Sequence, residues 1–466
     1  KFTYKICSKI MKSNNNINSI SGWGCHNHAK VKIINPVNLE QLEEIINNAK
    51  RKSIITRGLG RSYGDAAQLD NELAIDLKFF NHINLNKEKG IVTAGSGVSI
   101  NSLLEKIVPL GFFIPVSPGT RYVTIGGAIA SDVHGKNHHV NGSFGNHIHE
   151  ISLIDGLGNF KKLSNNNNSS LQEKNQFWAT IGGMGLTGVI IEASFSLIPI
   201  KTSKILVDVY KYKDLDDLMD AMVNSENDYQ YSVAWVDSLS KSNKGIFTGG
   251  NHALDIDLKR NNFYNNPLSY ESKSLASAPS FFPNGILNRY SVKAFNEAWF
   301  RKTPKFERGD LQSISKFFHP LDGIKNWNRL YGSKGFIQYQ FVVPDNESKV
   351  ISEVLEITRK YGTPSFLTVL KKFGKGNDSF LSFPIKGWTL AIDIPLTFSN
   401  LNEILKKLDE KVLNAGGRIY LAKDSRQSPE MFQSTYPLFN SWKKIRNSMD
   451  PNNIFCSDLA KRLNIV

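Results

Sequence analysis

Apolar residues in the first part of the chain recur at helical spacing between short β-type runs. Leu39, Leu42, Ile45 and Ile46 mark one helical face, and Asn38 followed by Gln41 resembles a capping box at its start. The run SIIT (53–56) then reads as a strand entering a glycine-rich turn, RGLGRSYGD. The segment IVTAGSGVSINSLLEKIVPLGFFIPVSPGT repeats the plan: a strand, a helix opening near Asn101, and an extended stretch ending at a Pro-Gly turn. VIIEASFSLIPI (189–200) is β-branched and predicts a strand leaving this region.

The pattern changes near residue 201. VDVYKY, YSVAWVD, FIQYQFVVP and WTLAIDIPL read as strands, separated by helical segments such as ESKVISEVLEITRKYG. That order predicts a second α+β domain with a mostly antiparallel sheet. Alternation in FIQYQFVV puts Gln338 and Gln340 on one face and Ile337, Tyr339 and Phe341 on the other. SLASAPSFFPNGILNRYS (274–291) reads as a long loop of the kind used for lids. The division expected is a flexible tail over 1–19, a first domain over 20–200, a second over 201–415, and a closing segment over 416–466. The chain has no internal repeat.

A length of 466 residues suits more than one core. No apolar run approaches the ~20 residues of a membrane span, and the lysine-bearing start has no apolar stretch of a secretion signal. Cys7, Cys25 and Cys456 are odd in number and far apart, which argues for a reducing compartment. The expected location is cytoplasmic or peripheral at the inner membrane, with the periplasmic side left open. A formal charge of +15 fits nucleic acid, an anionic membrane surface, a phosphate-bearing ligand, or a generally basic surface. The lysines are spread out and no nucleic-acid-binding pattern occurs, so nucleic acid is not expected as a partner.

GMGLTG (183–188) matches a dinucleotide fingerprint literally, but it precedes a β-type run rather than a helix, and that context excludes a Rossmann reading. His134, His138, His139, His147 and His149 make half of the ten histidines. They lack the partners and spacing of a zinc site, so no metal is expected; structural loop histidines are the plain alternative. Glycine recurs in RGLGRSYGD, SPGTRYVTIGGAIASDVHG, GSFGN and TIGGMGLTG. Several such turns, each able to present backbone N–H groups to phosphate, suit an extended pyrophosphate cofactor.

These turns, taken in order with YSVAWVD, SFFPNGILNRY, HPLD, SFLTVLKKFG, LSFPIKGW and GGRIYLAKDSR, resemble the FAD-linked oxidases of the vanillyl-alcohol oxidase superfamily. Within it the chain is similar to the polyprenyl-phosphoryl-ribose 2′-oxidase group, over about residues 20–465. The resemblance implies an α+β fold, with a two-part FAD-binding domain of the PCMH type and a substrate domain. It implies FAD held by residues 57–65, 118–135, 137–147 and 182–188. By name these are Arg57, Gly58, Gly60, Arg61, Ser62, Tyr63, Gly64, Gly119, Thr120, Thr124, Gly126, Gly127, Ala130, Ser131, His134 and Gly135. Asn137, Gly142, Ser143, Gly145, Asn146, Gly183, Gly185, Thr187, Gly188, Ile190, Tyr420 and Lys423 complete the set. Arg61 stands where relatives often attach flavin through histidine, so the FAD is expected to be noncovalent.

The implied reaction takes the 2′-hydroxyl of a polyprenyl-phosphoryl-β-D-ribose to the 2′-keto sugar. A separate NAD(P)H-dependent short-chain reductase would complete the arabinose donor for cell-wall or surface glycan. Lys423 would supply a fixed cation; otherwise it is an ordinary solvated lysine. His134 and Tyr63 are candidates for handling the proton, with His134 preferred. Gln338, Gln340, Lys371, Trp235, Phe318, Lys136, Thr389 and Ala391 would contact the substrate, Lys371 at its phosphate. Ala391 and Thr389 depart from the cysteine and asparagine of the family pattern, so thiol-directed inhibition is not expected. Phe281 and Phe282 in the lid suit a lipid tail at a membrane surface, where peripheral contact is expected. The rival readings are an oxidase of a soluble sugar or aldonolactone, and a basic zinc- or nucleic-acid-binding protein.

Overall fold

The computed structural model describes residues 17–260, 266–279 and 281–466. Residues 1–16 of the expected tail lie outside them. Residues 17–19 are not tail, because strand β1 (Ile17–Ile20) pairs antiparallel with β2 (Ala29–Ile34) and Ile20 packs on a buried apolar cluster. Strands β3 (Ile54–Thr56) and β4 (Leu73–Ile75) complete a sheet of order β1-β2-β4-β3, with β2 and β3 parallel to β4. Helix α1 (Leu39–Asn47) crosses from β2 to β3 and buries Leu42 and Ile46. Its start is a side-chain cap: Oδ1 of Asn38 accepts from the Gln41 backbone at 3.0 Å, and Oε1 of Gln41 accepts from the Val37 backbone at 3.1 Å.

A second sheet is antiparallel throughout, built from β5 (Ile83–Asn86), β6 (Ile91–Gly95), β7 (Ile148–Ile154), β8 (Phe160–Ser164) and β9 (Val189–Ser196) in the order β5-β6-β9-β7-β8. The β-branched run after the GMGLTG turn is thus a central strand. Helix α2 (Ile100–Ile107) starts at a Ser99 cap, two residues before Asn101, and helix α3 (Ile125–Ala130) packs on β9.

Strands β10 (Lys204–Tyr212), β11 (Tyr231–Val236), β12 (Gly245–His252), β13 (Phe306–Ser313), β14 (Phe336–Pro344), β15 (Thr368–Phe373), β16 (Gly387–Pro395) and β17 (Arg418–Ile419) form one antiparallel sheet, in the order β13-β10-β12-β11-β15-β16-β14-β17. The period-2 pattern of β14 decides what each face does. Ile337, Tyr339, Phe341 and Val343 bury against α4 (Leu215–Asn224), α6 (Lys349–Tyr361) and α7 (Leu401–Asn414), numbering α5 as Arg289–Lys302. Each such side chain taken from water stabilises the fold by roughly 1.5–3 kcal/mol. The even positions of β14 are left for the opposite face.

The closing segment ties the halves together. It supplies β17 to the large sheet and bridges Phe455 to Ile54 of the first one. Arg462 reaches Asp65 at 2.8 Å and Asp424 at 3.0 Å. The lid-like segment is only partly loop. Ala276 and Ser277 pair with Ile324 and Lys325, and residues 289–291 are already the first turn of α5, capped by Asn288. No helix among the described residues is long and apolar enough to cross a membrane.

Candidate active site

A cavity of about 950 Å³ lies between the glycine-rich turns and the face of the large sheet that carries Gln338 and Gln340. The first turn lines it with Arg57, Gly58, Gly60, Arg61, Ser62 and Tyr63. The ends of this turn are fastened, since Arg57 N–H donates to Ile75 O at 2.9 Å and Tyr63 N–H to Ala422 O at 2.9 Å. Between them the N–H groups of Gly58, Leu59, Gly60, Arg61 and Ser62 meet no acceptor among the described residues. Such a run of free backbone donors at a cavity wall is a seat for phosphate. The seat is narrow: a Cβ on Gly58 would collide with Oγ1 of Thr124.

The second turn adds Gly119, Thr120, Thr124, Gly126, Gly127, Ala130, Ser131, His134, Gly135 and Lys136. The fourth adds Gly185, Gly188 and Ile190. From the large sheet and closing segment come Trp235, Gln338, Gln340, Lys371, Ala391, Tyr420 and Lys423, and Phe318 flanks them. Two buried polar atoms along this wall, Oγ of Ser96 and Nδ1 of His134, have no protein partner. A large cavity walled by a run of free backbone donors and by buried unpaired polar atoms fits FAD.

Several sequence-assigned residues fall elsewhere. Gly64 is pressed against the Asp424 carbonyl, so it serves the joint between turns. Asn137 is buried and spends its amide on Pro115 O and Asn141. Ser143 and the Gly145 N–H bind the buried Asp132 carboxylate at 2.7 and 2.8 Å, and Asn377 joins them. Gly142 and Asn146 face a separate groove beside His139 and Lys375. The third glycine-rich turn therefore braces the site from behind and does not line it. Gly183 packs on the Ala179 carbonyl, and Thr187 bonds Thr180 at 3.1 Å. Thr389 is buried behind Gln340, accepting from that amide at 3.3 Å and donating to Phe341 O at 2.8 Å.

The histidines disperse. His138 lies against the Phe373 ring at 4.4 Å, His139 donates to Tyr229 O, His147 to Asn141 O, and His149 meets Ser196. Among the described residues no group of three metal-ligating side chains is placed to hold an ion.

His134 alone of the five lines the cavity. Thr389 uses its hydrogen on Phe341 O, so it accepts from the Gln340 NH₂, and this orients the amide. The same NH₂ faces Nε2 of His134 at 3.1 Å, which makes Nε2 the acceptor and puts the ring hydrogen on Nδ1. Burial, with the charges of Lys371, His138 and Lys423, holds this imidazole well below the usual histidine range.

Register explains the remaining grouping. Gln338 stands opposite Asp393, Gln340 opposite Ala391, and Lys371 opposite Thr389 on neighbouring antiparallel strands. Lys423 holds its ammonium 3.7 Å from the centre of the Tyr63 ring. Burial lowers Lys423 to about 7, against a counter-pull from Asp393 and with a further push from Lys371. Lys371 is lowered to about 8 by burial, and Lys136 to about 7 by burial and then Lys371. Lys136 also donates to Phe317 O. Tyr63 is pushed well above its ordinary value, chiefly by burial.

The sequence reading passed over Asp393, Tyr331, Trp23 and Asp132. Asp393 was within reach, because it continues the same alternating face as Thr389 and Ala391. Trp23, which lies 4.0 Å from the Arg61 guanidinium carbon, gives no local signal.

Residues 32–164 match the family described as FAD binding domain, and residues 369–463 match D-arabinono-1,4-lactone oxidase. Decaprenylphosphoryl-β-D-ribose oxidase of Mycolicibacterium smegmatis is 38% identical over 455 residues, covering 96% of this chain and 97% of the relative. A Streptomyces coelicolor protein known by its place in the mprA 5′ region is 32% identical over 79% of this chain and its own full length. L-gulonolactone oxidase of Scyliorhinus torazame is 22% identical over 92% of this chain and 93% of the relative. The chain belongs to the decaprenylphosphoryl-β-D-ribose oxidase family of oxidoreductases, and FAD is its cofactor.

Proposed function

We propose that the chain oxidises the 2′-hydroxyl of a polyprenyl-phosphoryl-β-D-ribose to the 2′-keto sugar. The observation that carries this reading is end-to-end similarity to an oxidase of that substrate class, joined to a cavity where Gln338, Gln340, Lys371 and Lys423 converge. Amides suit sugar hydroxyls, and Lys371, with no hydrogen-bond or ion-pair partner among the described residues, is free for a phosphate. Trp235 and Phe318 provide apolar walls, with Lys136 at the Phe318 side.

Oxidation of the alcohol removes a hydride from carbon and a proton from oxygen, and bound FAD supplies the hydride acceptor. Arg57, the Gly58–Ser62 backbone, Thr124 and the Gly185–Gly188 turn would hold it. Arg61 offers no nucleophile, which supports noncovalent attachment. Lys423 is assigned two tasks. Burial lowers it to about 7, so its neutral form takes the hydroxyl proton, and its charged form stabilises negative charge that develops beside it. His134, favoured for the proton in the sequence, has its Nε2 lone pair engaged by Gln340 and presents an Nδ1–H donor instead.

The cavity reaches Phe295 and Trp299 of α5, which are about half exposed, and Tyr290 on the same helix and Leu275 and Phe281 in the segment before it are highly exposed. Exposed Arg289 and Lys293 lie on the same helix. This apolar and basic rim supports peripheral docking on an anionic membrane, from which a lipid-linked sugar enters. The ketone product requires an NAD(P)H-dependent reductase as the next step.

The match of residues 369–463 to a lactone oxidase favours a second reading, oxidation of a soluble aldonolactone. Anaerobic reduction of the bound flavin separates them. A polyprenyl-phosphoryl pentose should bleach its absorbance, and bleaching by free sugars or lactones alone would overturn the proposal.

A further inference from the structure

Asp393 takes part in none of the roles assigned so far, yet it is fully buried directly behind the cavity wall. Gln338 Nε2 donates to its Oδ1 at 2.6 Å and the Tyr331 hydroxyl donates to its Oδ2 at 3.1 Å. The same Gln338 nitrogen stands 3.3 Å from the hydroxyl of Tyr63, whose ring lies beneath the Lys423 ammonium. Five separate parts of the chain meet here: the first glycine-rich turn, the short helix Trp327–Tyr331, strand β14, strand β16 and the closing segment.

The chemistry of these groups fixes a direction. An ionised carboxylate only accepts, so it turns the Gln338 NH₂ toward itself. That NH₂ then donates to the Tyr63 oxygen as well. The hydrogen of Tyr63 is left to point to an acceptor in the cavity, and the Gln338 carbonyl is left for a donor. An amide in place of Asp393 would permit either orientation of Gln338 and release Tyr63 from this polarity.

We propose that Asp393 is a positioning residue which, through Gln338, fixes Tyr63 as a hydrogen donor toward a sugar oxygen. This rests on the reading of the cavity as a sugar-oxidising site. The charged and titratable groups facing the assembly are Tyr331 from the short helix, Tyr63 and Arg61 from the first turn, Asp322, Lys423 from the closing segment, and Lys371 from β15, which acts on Lys423. Burial holds Asp393 up to about 7, against the hydrogen bonds from Gln338 and Tyr331 and the charge of Lys423. Protonation therefore scrambles the orientation in the same range, and sugar oxidation weakens as pH falls through it.

Wild type, Asp393→Asn and Tyr331→Phe holoenzymes are compared across pH 5.5–9 on the sugar that wild type oxidises. Asp393→Asn should keep its flavin absorbance, raise KM about tenfold or more with a smaller change in kcat, and keep only the acid limb of kcat/KM that Lys423 imposes, moved to lower pH because the carboxylate that raises Lys423 is gone. Tyr331→Phe removes a bond that favours the carboxylate, so its acid limb should move to higher pH. Infrared titration should reveal a protonated-carboxyl band in wild type that Asp393→Asn lacks. Unchanged KM and an unchanged acid limb in the Asn variant would overturn the proposal. Should that variant not fold, an unmoved limb in Tyr331→Phe would do so. A wild type that oxidises only lactones overturns the substrate reading, and the same comparisons on the lactone then still decide the role of Asp393.

Discussion

The Gln340 amide donates to Nε2 of His134 at 3.1 Å, and Thr389 behind it fixes which end of the amide does so. A base in this position would need its lone pair free, and here it is taken. Gln340→Glu replaces that donor with a carboxylate, which draws the ring hydrogen to Nε2 and raises the imidazole toward neutrality. We expect turnover to fall at least about tenfold and a new acid-side transition to enter the pH profile of kcat. Profiles of wild type and Gln340→Glu check this.

Lys423 combines a depressed ammonium with a place against the Tyr63 ring in the cavity wall. Lys423→Ala should lower kcat by about a hundredfold or more while the purified protein keeps its flavin spectrum. Near-normal turnover would remove both of its assigned tasks.

Gly58→Ala probes the cofactor seat alone. Its Cβ meets Oγ1 of Thr124, so the donor run must shift away from the phosphate it is placed to hold. The expected result is a folded protein, unchanged by circular dichroism, with at least about tenfold weaker FAD retention on dilution.

The His138 ring makes no hydrogen bond among the described residues, and burial, followed by the charges of Lys371 and His139, lowers it to about 3. In the unfolded chain it takes a proton below about 6.5. Nothing is lost above that pH, and stability drains away as pH falls from 6.5 toward 3. His138→Leu removes the drain. Relative to wild type it should be near neutral at pH 7 and more stable by about 2 kcal/mol at pH 5, measured by urea unfolding.

The sequence makes the strand–turn order and the first, second and fourth glycine-rich turns readable, because those turns act through their own backbones. Local pattern also places Gln338 and Gln340 on one face of β14. The third turn misleads because GSFGN has the same composition but turns Ser143 and the Gly145 N–H onto Asp132, where Asn377 and Ser382 from far along the chain complete a buried cluster. Trp23 and Tyr331 are missed for a related reason. An aromatic side chain carries no local sign of which distant group it will meet.

The joint between Tyr63 N–H and the Ala422 carbonyl closes a loop that holds most of the chain. The same joint fastens one end of the turn that offers its backbone N–H groups to phosphate and sets Lys423 against the Tyr63 ring. The cofactor seat and the group assigned to the proton therefore share one anchor, and a shift in either is felt by the other.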